Sequence, residues 1–317
     1  MSGDWEAMER ALAAAGLEIE VVRRQPCEYR TSFPVELLEV ERLGPGWGTI
    51  VCKRPNWDEL DGTAQMAKPR FLHDPEREVC AYEELLPRGP EGPPRLLGTA
   101  AEDGRSWLFL EWVEGRPLFE VGERELWEQA AAWLGRFHAA FAGDRAGTEL
   151  PCPLVERDAD FYRSWMARAR GFGVGESGER RAALDRLSER HDRLAEELLA
   201  MPPTLLHGEY YASNVLIAAG EGGVRVAPLD WELAGPGPGA LDLAALVSGW
   251  PAADREAMRL AYERGLGAPL PARELELARL QVAIQWLGWA PPEWQPPADQ
   301  RRDWAAEAIE IVEALEL

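Results

Sequence analysis

The sequence predicts an α+β chain of two lobes, in which a small antiparallel β-sheet with one helix precedes a larger, mostly helical part. Short alternating apolar runs separated by turn residues fill the first third of the chain. Long amphipathic helical patterns fill the rest. Because the composition changes near Gly115, we assign residues 1–114 to a β-rich lobe and residues 115–317 to a helical lobe.

The β-rich lobe begins with an Ala-rich helix predicted over residues 4–15. Three strands are predicted next, over residues 17–24, 33–42 and 49–53. The run Gly44-Pro45-Gly46-Trp47-Gly48 is a strong turn signal before the third strand. We expect these strands to form an antiparallel meander whose third strand ends at Lys53.

The sheet pattern resumes after a predicted helix over residues 75–86. Two further strands, over residues 95–100 and 107–113, are separated by a turn at Asp103-Gly104. The run Glu114-Gly115-Arg116-Pro117 then ends the sheet pattern.

The second lobe is predicted to carry helices over residues 127–141, 158–170 and 180–199. A flexible break is expected at residues 171–175. Two short strands, over residues 215–217 and 224–226, are expected to form a hairpin about a Gly-rich turn. Helices follow to the C-terminus, with a Pro-rich interruption at residues 291–297.

Composition limits the classes of partner. The chain has 317 residues, 46% of them hydrophobic, which is enough for a substantial core. Its formal net charge of −21 disfavours nucleic acids and anionic membranes as partners. The N-terminus lacks a basic region followed by an apolar run, and no stretch of about 18 apolar residues occurs. We therefore expect a soluble, cytoplasmic protein, present as a monomer or homodimer.

The four cysteines, Cys27, Cys52, Cys80 and Cys152, lie far apart without a CxxC spacing. The four histidines are also scattered, so a structural zinc site is not expected. The cysteines are interpreted as reduced residues of a cytosolic protein.

A polar motif, H-G-E-x-x-x-x-N, runs from His207 to Asn214, and Asp230 follows sixteen residues later at the end of an apolar strand. This layout suits phosphoryl transfer, in which one carboxylate takes a hydroxyl proton while an amide and a second carboxylate hold magnesium on the nucleotide phosphates. Glu209 is the candidate base. Asn214 and Asp230 are the candidate magnesium ligands, since a hard cation prefers oxygen. The alternative is that these two residues only begin and end a surface hairpin.

Phosphoryl transfer also needs a cation on the phosphates. Lys53, at the end of an early strand, is the candidate, although a solvent-exposed strand-end lysine is the alternative. Glu78, on the next helix, is its candidate partner. We favour Glu78 over the neighbouring acids because the apolar residues beside it can face the core and turn it toward the sheet.

Two other polar residues are expected to support the loop. His207 could be a general base or a metal ligand, but we expect it to hydrogen-bond the loop backbone and hold its shape, and we group it with the catalytic residues on that basis. Asp242 follows a Gly/Pro-rich loop and precedes an apolar helix. It is expected to cap that helix or to brace the catalytic loop from behind.

These residues resemble the aminoglycoside phosphotransferase and choline kinase-like family, which shares the two-lobed protein-kinase-like fold. The resemblance rests on the runs Leu206-His207-Gly208-Glu209 through Asn214-Val215-Leu216 and Leu229-Asp230-Trp231-Glu232. Leu134-Gly135-Arg136-Phe137-His138 also looks like the family's helix just past the hinge, and residues 107–115 look like the last sheet strand and the hinge. The similarity covers nearly the whole chain.

The resemblance implies Mg²⁺ as the cofactor and ATP or GTP as the co-substrate, held by the β-rich lobe. Lys53 would contact the α- and β-phosphates, and Glu78 would pair with it. Asn214 and Asp230 would bind magnesium. Glu209 would take the position of the catalytic base, where the family has Asp, and its extra methylene must be absorbed by a shifted loop or acceptor.

The rest of the nucleotide site is also implied by the resemblance. Glu111, Trp112 and Val113 at the hinge would meet the nucleotide base through backbone hydrogen bonds. Thr31 and Ser32, in a loop without glycines, would cover the phosphates with backbone N–H groups and hydroxyls.

The sequence thus favours a Mg-ATP-dependent O-phosphotransferase that moves the γ-phosphate to a hydroxyl of a small natural-product or aminoglycoside-like acceptor. Acidic residues such as Glu293 and Asp303 could receive a cationic ring. One alternative is a kinase of Ser/Thr hydroxyls on a peptide in natural-product maturation, with residues 171–178 and the aromatic C-terminal region forming a groove. Another is a nucleotide-binding pseudokinase.

Overall fold

The structure is a computed structural model, and it describes residues 2–27, 33–41, 48–60, 62–143, 152–172, 178–289 and 302–315. The predicted turn at 44–48 lies largely outside these residues, and the predicted Pro-rich interruption at 291–297 lies wholly outside them. So does most of the predicted flexible break, whose first two residues instead continue a helix.

The first part of the chain forms an antiparallel sheet backed by one helix. Its elements are α1 (Ser2–Ala14), β1 (Glu20–Pro26), β2 (Val35–Glu41), β3 (Thr49–Lys53), β4 (Leu96–Glu102) and β5 (Arg105–Glu111). Among the described residues the five strands lie in the order β1-β2-β3-β5-β4, and every neighbouring pair is antiparallel. The predicted meander is therefore confirmed, and the fifth strand is inserted beside the third.

The sheet and helix α1 enclose a small core of their own. Alternate residues of the strands point to the same side, so that Leu38, Ile50 and Phe109 are buried against Met8 and Leu12 of the helix. This packing fixes the end of β3, where Lys53 is paired across the sheet with Leu108.

The segment between β3 and β4 carries short helices. Helix α2 spans Gly62–Ala67 and α3 spans Pro75–Cys80. Asp74 caps α3, since its side chain accepts a hydrogen bond from the backbone N–H of Glu76. The expected single helix over 75–86 instead changes to a wider π-helical turn over Ala81–Leu85.

The remainder of the chain is mainly helical, as predicted. Its helices are α4 (Arg124–Ala140), α5 (Ala159–Phe172), α6 (Glu179–Ala200), α7 (Ala240–Val247), α8 (Ala252–Leu266), α9 (Ala272–Trp289) and α10 (Trp304–Ala314). Helices α4 and α8 approach closely at Gly135. A Cβ atom there would lie 2.2 Å from the carbonyl oxygen of Tyr262, so the approach requires glycine. The mixed α+β class with a helical second part is confirmed.

Short strands frame the polar motif. They are β6 (Gly115–Pro117), β7 (Pro203–Leu206), β8 (Val215–Gly220), β9 (Gly223–Pro228) and β10 (Gly235–Pro238). The predicted hairpin is confirmed as β8–β9, and β6 joins its edge. The prediction of a Gly/Pro-rich loop before Asp242 is wrong in part. Gly235–Pro238 is a strand, because it pairs with β7. Proline and glycine are tolerated there because the pair has only two strands.

Cys80 and Cys152 form a disulfide across 72 residues of sequence, whereas Cys27 and Cys52 are free. The expectation of reduced cysteines is therefore wrong for this pair. Nothing in the local sequence signals it, because the two residues meet only when α3 packs beside the segment that leads to α5. Among the described helices, none combines the length and apolar character needed to cross a lipid bilayer.

Candidate active site

Lys53 brings the two lobes' candidate residues together. Its Nζ lies 2.5 Å from Oε2 of Glu78 and 2.5 Å from Oδ1 of Asp230. The lysine side chain is buried, and burial alone would lower its pKa, but Asp230 and Glu78 outweigh burial and hold the pKa well above its ordinary value. The ammonium group is therefore charged, and the solvent-exposed alternative is excluded.

Helix α3 aims Glu78 inward. The residue is 1% exposed, and Oε1 accepts a 3.3 Å hydrogen bond from the backbone N–H of Trp231. Burial raises the pKa of Glu78 to about 7 despite the adjacent Lys53. The other acids of this segment do not share that position, since Glu76, Glu83 and Glu84 are exposed.

Asp230 is presented by a strained turn after β9. Its φ of 66° lies in the left-handed region, which is uncommon for a residue with a side chain. The backbone N–H of Leu229 donates a 2.8 Å hydrogen bond to the carbonyl of Asn214, so the hairpin holds both candidate ligands at its base. Lys53 lowers the pKa of Asp230 against the effect of burial.

The loop from His207 to Asn214 is braced from behind by Asp242. Its Oδ2 accepts from the backbone N–H of His207 at 2.7 Å, and its Oδ1 accepts from that of Gly208 at 2.9 Å. His138 also contacts Oδ2 at 3.3 Å. Burial would raise the pKa of Asp242, but His138 and His207 hold it below its ordinary value. Asp242 was expected either to cap the following helix or to brace the loop. These contacts match the bracing role, and Gly239 takes the N-cap position of α7.

His207 holds the loop's shape. Its Nε2 lies 2.7 Å from the carbonyl oxygen of Leu229, and its Nδ1 accepts a 3.2 Å hydrogen bond from the backbone N–H of Glu209. Nε2 is therefore the protonated nitrogen. Burial lowers the pKa of His207 below its ordinary value. Gly208 has a φ of 91°, and a Cβ atom there would lie 2.3 Å from the carbonyl of Leu233.

Glu209 lies among carboxylates. One carboxylate oxygen of Glu209 lies within 4.8 Å of one oxygen each of Asp230 and Glu232, which are equally close to each other. Burial and these two neighbours raise the pKa of Glu209 to about 8, and Lys68 and Lys53 act in the opposite direction. Three oxygen donors at this spacing fit a hard divalent cation.

Asn214 is the fourth candidate oxygen donor. Its side-chain nitrogen donates a 3.0 Å hydrogen bond to the backbone carbonyl of Glu209. That bond fixes the amide group and leaves Oδ1 as the atom suited to a cation.

The hinge residues are placed differently from one another. The N–H of Glu111 donates to the carbonyl of Arg95 within the sheet, and its carboxylate accepts two 3.0 Å hydrogen bonds from Arg225. Trp112 is 37% exposed and Val113 is buried. The N–H of Glu111 is thus already used in the sheet. Thr31 and Ser32 lie outside the described residues.

Two residues that sequence reasoning missed also face the site. Lys68, just after α2, is buried and pairs with the carboxylate of Glu232. Glu232 stands within the quoted run Leu229-Asp230-Trp231-Glu232, so its position beside Asp230 was a usable signal. Lys68 offered none, because a lone lysine in a loop is usually solvated.

Aromatic rings lie beside the polar loop. Tyr211 is two residues after Glu209, and its ring centroid lies 5.2 Å from that of Trp286. Trp286 stacks on Trp304 at 5.4 Å. Asp303, expected to receive a cationic ring, instead pairs with Arg180 and caps α10. Glu293 lies outside the described residues.

Known proteins resemble this chain in sequence pattern and in fold. A phosphotransferase enzyme family model matches residues 64–278. No curated protein sequence matches the chain significantly. Among solved structures, an aminoglycoside phosphotransferase from Alicyclobacillus acidocaldarius is 17% identical, with a TM-score of 0.56, and the match covers 97% of this chain and 91% of that one.

Two other solved structures share the fold. A microcompartment-associated aminopropanol kinase is 15% identical, with a TM-score of 0.64 and coverage of 98% of this chain and 95% of that one. A spectinomycin phosphotransferase in complex with ADP and spectinomycin is 14% identical, with a TM-score of 0.60 and coverage of 98% of both chains. The solved structures show the fold and the family match shows the class: the chain belongs to the phosphotransferase enzyme family.

Proposed function

We propose that this protein transfers the γ-phosphate of Mg-ATP, or of Mg-GTP, to a hydroxyl of a small natural-product or aminoglycoside-like acceptor. The observation that carries the proposal is the ion-paired set Glu78–Lys53–Asp230, placed beside the carboxylate of Glu209. Such a set provides a phosphate cation, an oxygen ligand and a base within one cluster.

In this mechanism each residue has one task. Lys53, oriented by Glu78, would hold the α- and β-phosphates. Asn214 and Asp230 would hold magnesium, which neutralises charge on the phosphate oxygens when bound. The hinge backbone at Trp112 and Val113 would receive the nucleotide base. The proposed division into a nucleotide lobe over residues 1–114 and an acceptor lobe over residues 115–317 follows from this assignment.

The transfer step is a displacement at phosphorus. The acceptor oxygen bonds to the γ-phosphorus as the bond from phosphorus to the β–γ bridging oxygen breaks. The nucleoside diphosphate leaves with that electron pair, and the hydroxyl proton passes to Glu209. A base must be ionised, and the magnesium that Asn214 and Asp230 would hold would favour the ionised form of Glu209 through its positive charge. His207 would position Glu209, because Nδ1 of His207 accepts a hydrogen bond from the backbone N–H of Glu209.

The acceptor is expected to have a ring or apolar face as well as a hydroxyl. The contacting rings of Tyr211, Trp286 and Trp304 would form an aromatic wall of the acceptor site, whereas Asp303 is already paired with Arg180. Aromatic faces bind rings through stacking and bind cations through their π-electrons. A small ring-containing natural product fits such a wall, and so does a basic one.

The proposal is tested by measuring nucleotide-dependent phosphorylation of an acceptor panel. The panel holds aminoglycosides, spectinomycin, small amino alcohols and Ser/Thr peptides, each with ATP or GTP and with or without Mg²⁺. We expect a small-molecule product that carries one phosphate, formed only with Mg²⁺ present. Transfer to peptides alone would favour the peptide-kinase alternative. Tight Mg-nucleotide binding without transfer to any acceptor would favour a pseudokinase.

A further inference from the structure

Lys68 faces the same carboxylates as Lys53, from the side of Glu232. Its side chain is 2% exposed, and its Nζ pairs with Oε2 of Glu232. The Nζ atoms of Lys68 and Lys53 lie 4.7 and 5.9 Å from the ring centroid of Phe33. The two ammonium groups therefore lie near the same aromatic ring.

Both partners of this pair are fixed by their backbones. The guanidinium of Arg77 donates a 2.8 Å hydrogen bond to the carbonyl of Glu232 and a 2.6 Å bond to that of Leu72. On the other side, Arg168 donates at 3.0 Å to the carbonyl of Ala67, next to Lys68. The pair is thus held between two buried or half-buried arginines, with little freedom to reorganise.

Packing alone does not account for a buried lysine here. Removing two charges from water is costly, and apolar residues of similar volume often serve as well or better. The partner of Lys68 is moreover one of three carboxylates whose oxygens lie within 4.8 Å of one another. Such a trio repels itself unless positive charge lies close by.

The charges around the site explain the arrangement. Four acidic residues, Glu78, Glu209, Asp230 and Glu232, share two lysines, Lys53 and Lys68. Without Lys68 the cluster would carry one negative charge more, and Glu232 would lose the contact that holds it.

We propose that Lys68 is a positioning residue of the phosphoryl-transfer site, which holds Glu232 and thereby sets the place and the net charge of the carboxylates Glu209 and Asp230. The proposal rests on the proposed function, since it concerns the same site. Lys53 binds the cluster through Asp230, and Lys68 binds it through Glu232. A carboxylate oxygen of Glu209 lies within 4.8 Å of the acidic partner in each of these ion pairs.

The test compares ADP binding by calorimetry, with Mg²⁺ and with a chelator, in the wild type and in Lys68→Met, Lys68→Arg and Lys68→Met/Glu232→Gln. The readout is the dissociation constant of ADP with the chelator divided by the dissociation constant with Mg²⁺. Removing one positive charge beside the carboxylates that would hold the cation is expected to raise that ratio about tenfold in Lys68→Met. Lys68→Arg should stay near the wild type, and the double variant should return toward it.

Arg279→Met is the matched control. Arg279 also forms a buried ion pair, with Glu307 at 2.8 Å, but between α9 and α10. It should lower the melting temperature much as Lys68→Met does, and leave the Mg²⁺ ratio unchanged. Nucleotide hydrolysis gives a second readout, in which Lys68→Met should lower kcat by about a hundredfold with a smaller change in KM.

An unchanged Mg²⁺ ratio in Lys68→Met, in a wild type that binds Mg-ADP, would overturn the role of Lys68 and leave the proposed function intact. A wild type that shows no Mg²⁺-dependent ADP binding would overturn the proposed function, and this role with it. An equal rise of the ratio in Arg279→Met would also count against Lys68, because the effect would then follow from lost stability.

Discussion

The ammonium group of Lys53 lies 2.5 Å from Oδ1 of Asp230, although 177 residues separate them in the sequence. One residue ends a strand of the five-stranded sheet, and the other follows a hairpin of the helical part. This contact therefore joins the two parts of the chain at the point where phosphates are proposed to bind.

Lys53→Met should lower both stability and nucleotide affinity. The change leaves the carboxylates of Glu78 and Asp230 unpaired, and removing one partner of a buried ion pair costs about 3–5 kcal/mol. Urea unfolding measures the first effect and calorimetry with ADP measures the second. Stability within about 1 kcal/mol of the wild type would show that the buried pair is not formed in solution.

Glu209→Gln should abolish most of the transfer in a protein that still binds the nucleotide. Glutamine keeps the shape of the side chain but accepts no proton, and general bases contribute about 10²- to 10⁴-fold to rates. Glu209→Asp, which shortens the side chain by one methylene, should retain part of the activity. Both are measured as kcat with a phosphorylated acceptor, and an unchanged kcat in Glu209→Gln would remove Glu209 from the mechanism.

Asp242→Asn should destabilise the catalytic loop. The carboxylate accepts hydrogen bonds from the backbone N–H groups of His207 and Gly208, and hydrogen bonds to charged groups contribute about 1.5–3 kcal/mol each. We expect a lower melting temperature and faster amide hydrogen exchange in the loop. Equal exchange rates in the two proteins would argue against the bracing role.

The same residue predicts a pH dependence. Because the pKa of Asp242 is lower in the folded protein than its ordinary value of 3.8, its contribution is complete above that value. It is lost as the pH falls through the lower folded pKa. The wild type should therefore lose more stability than Asp242→Asn as the pH falls below about 4, as measured by urea unfolding at each pH.

Reduction of the Cys80–Cys152 disulfide should lower stability. The bond closes a loop of 72 residues, and the chain-entropy model gives about 4 kcal/mol for a loop of that size. Cys80→Ser and Cys152→Ser should match the reduced wild type in urea, and neither should respond to a reductant. Cys27→Ser, at a free cysteine, is the control and should keep the wild-type response.

The sequence was sufficient for the parts that have local signals. The alternating runs predicted the sheet, and the spacing of Asn214 and Asp230 predicted that both residues lie at the base of the hairpin β8–β9. Lys53 and Glu78 followed from their places at a strand end and on the next helix. All of these depend on periodicity or on a turn, which a single sequence displays.

The parts that were missed depend on long-range packing. Lys68 meets Glu232 across 164 residues, and Cys80 meets Cys152 across 72, with no motif at either position. The pairing of Gly235–Pro238 with Pro203–Leu206 was hidden because glycine and proline normally indicate a loop.

The disulfide also determines what a protease can separate. Residues 80–152 form a covalently closed ring that contains the hinge at Glu111–Val113 and the whole of helix α4. A single cut within this ring leaves both fragments attached, so the nicked protein runs as one band in electrophoresis until a reductant is added. A cut outside the ring gives a separate fragment in denaturing electrophoresis even without a reductant. Peptide mapping with and without a reductant therefore reports where the chain is exposed.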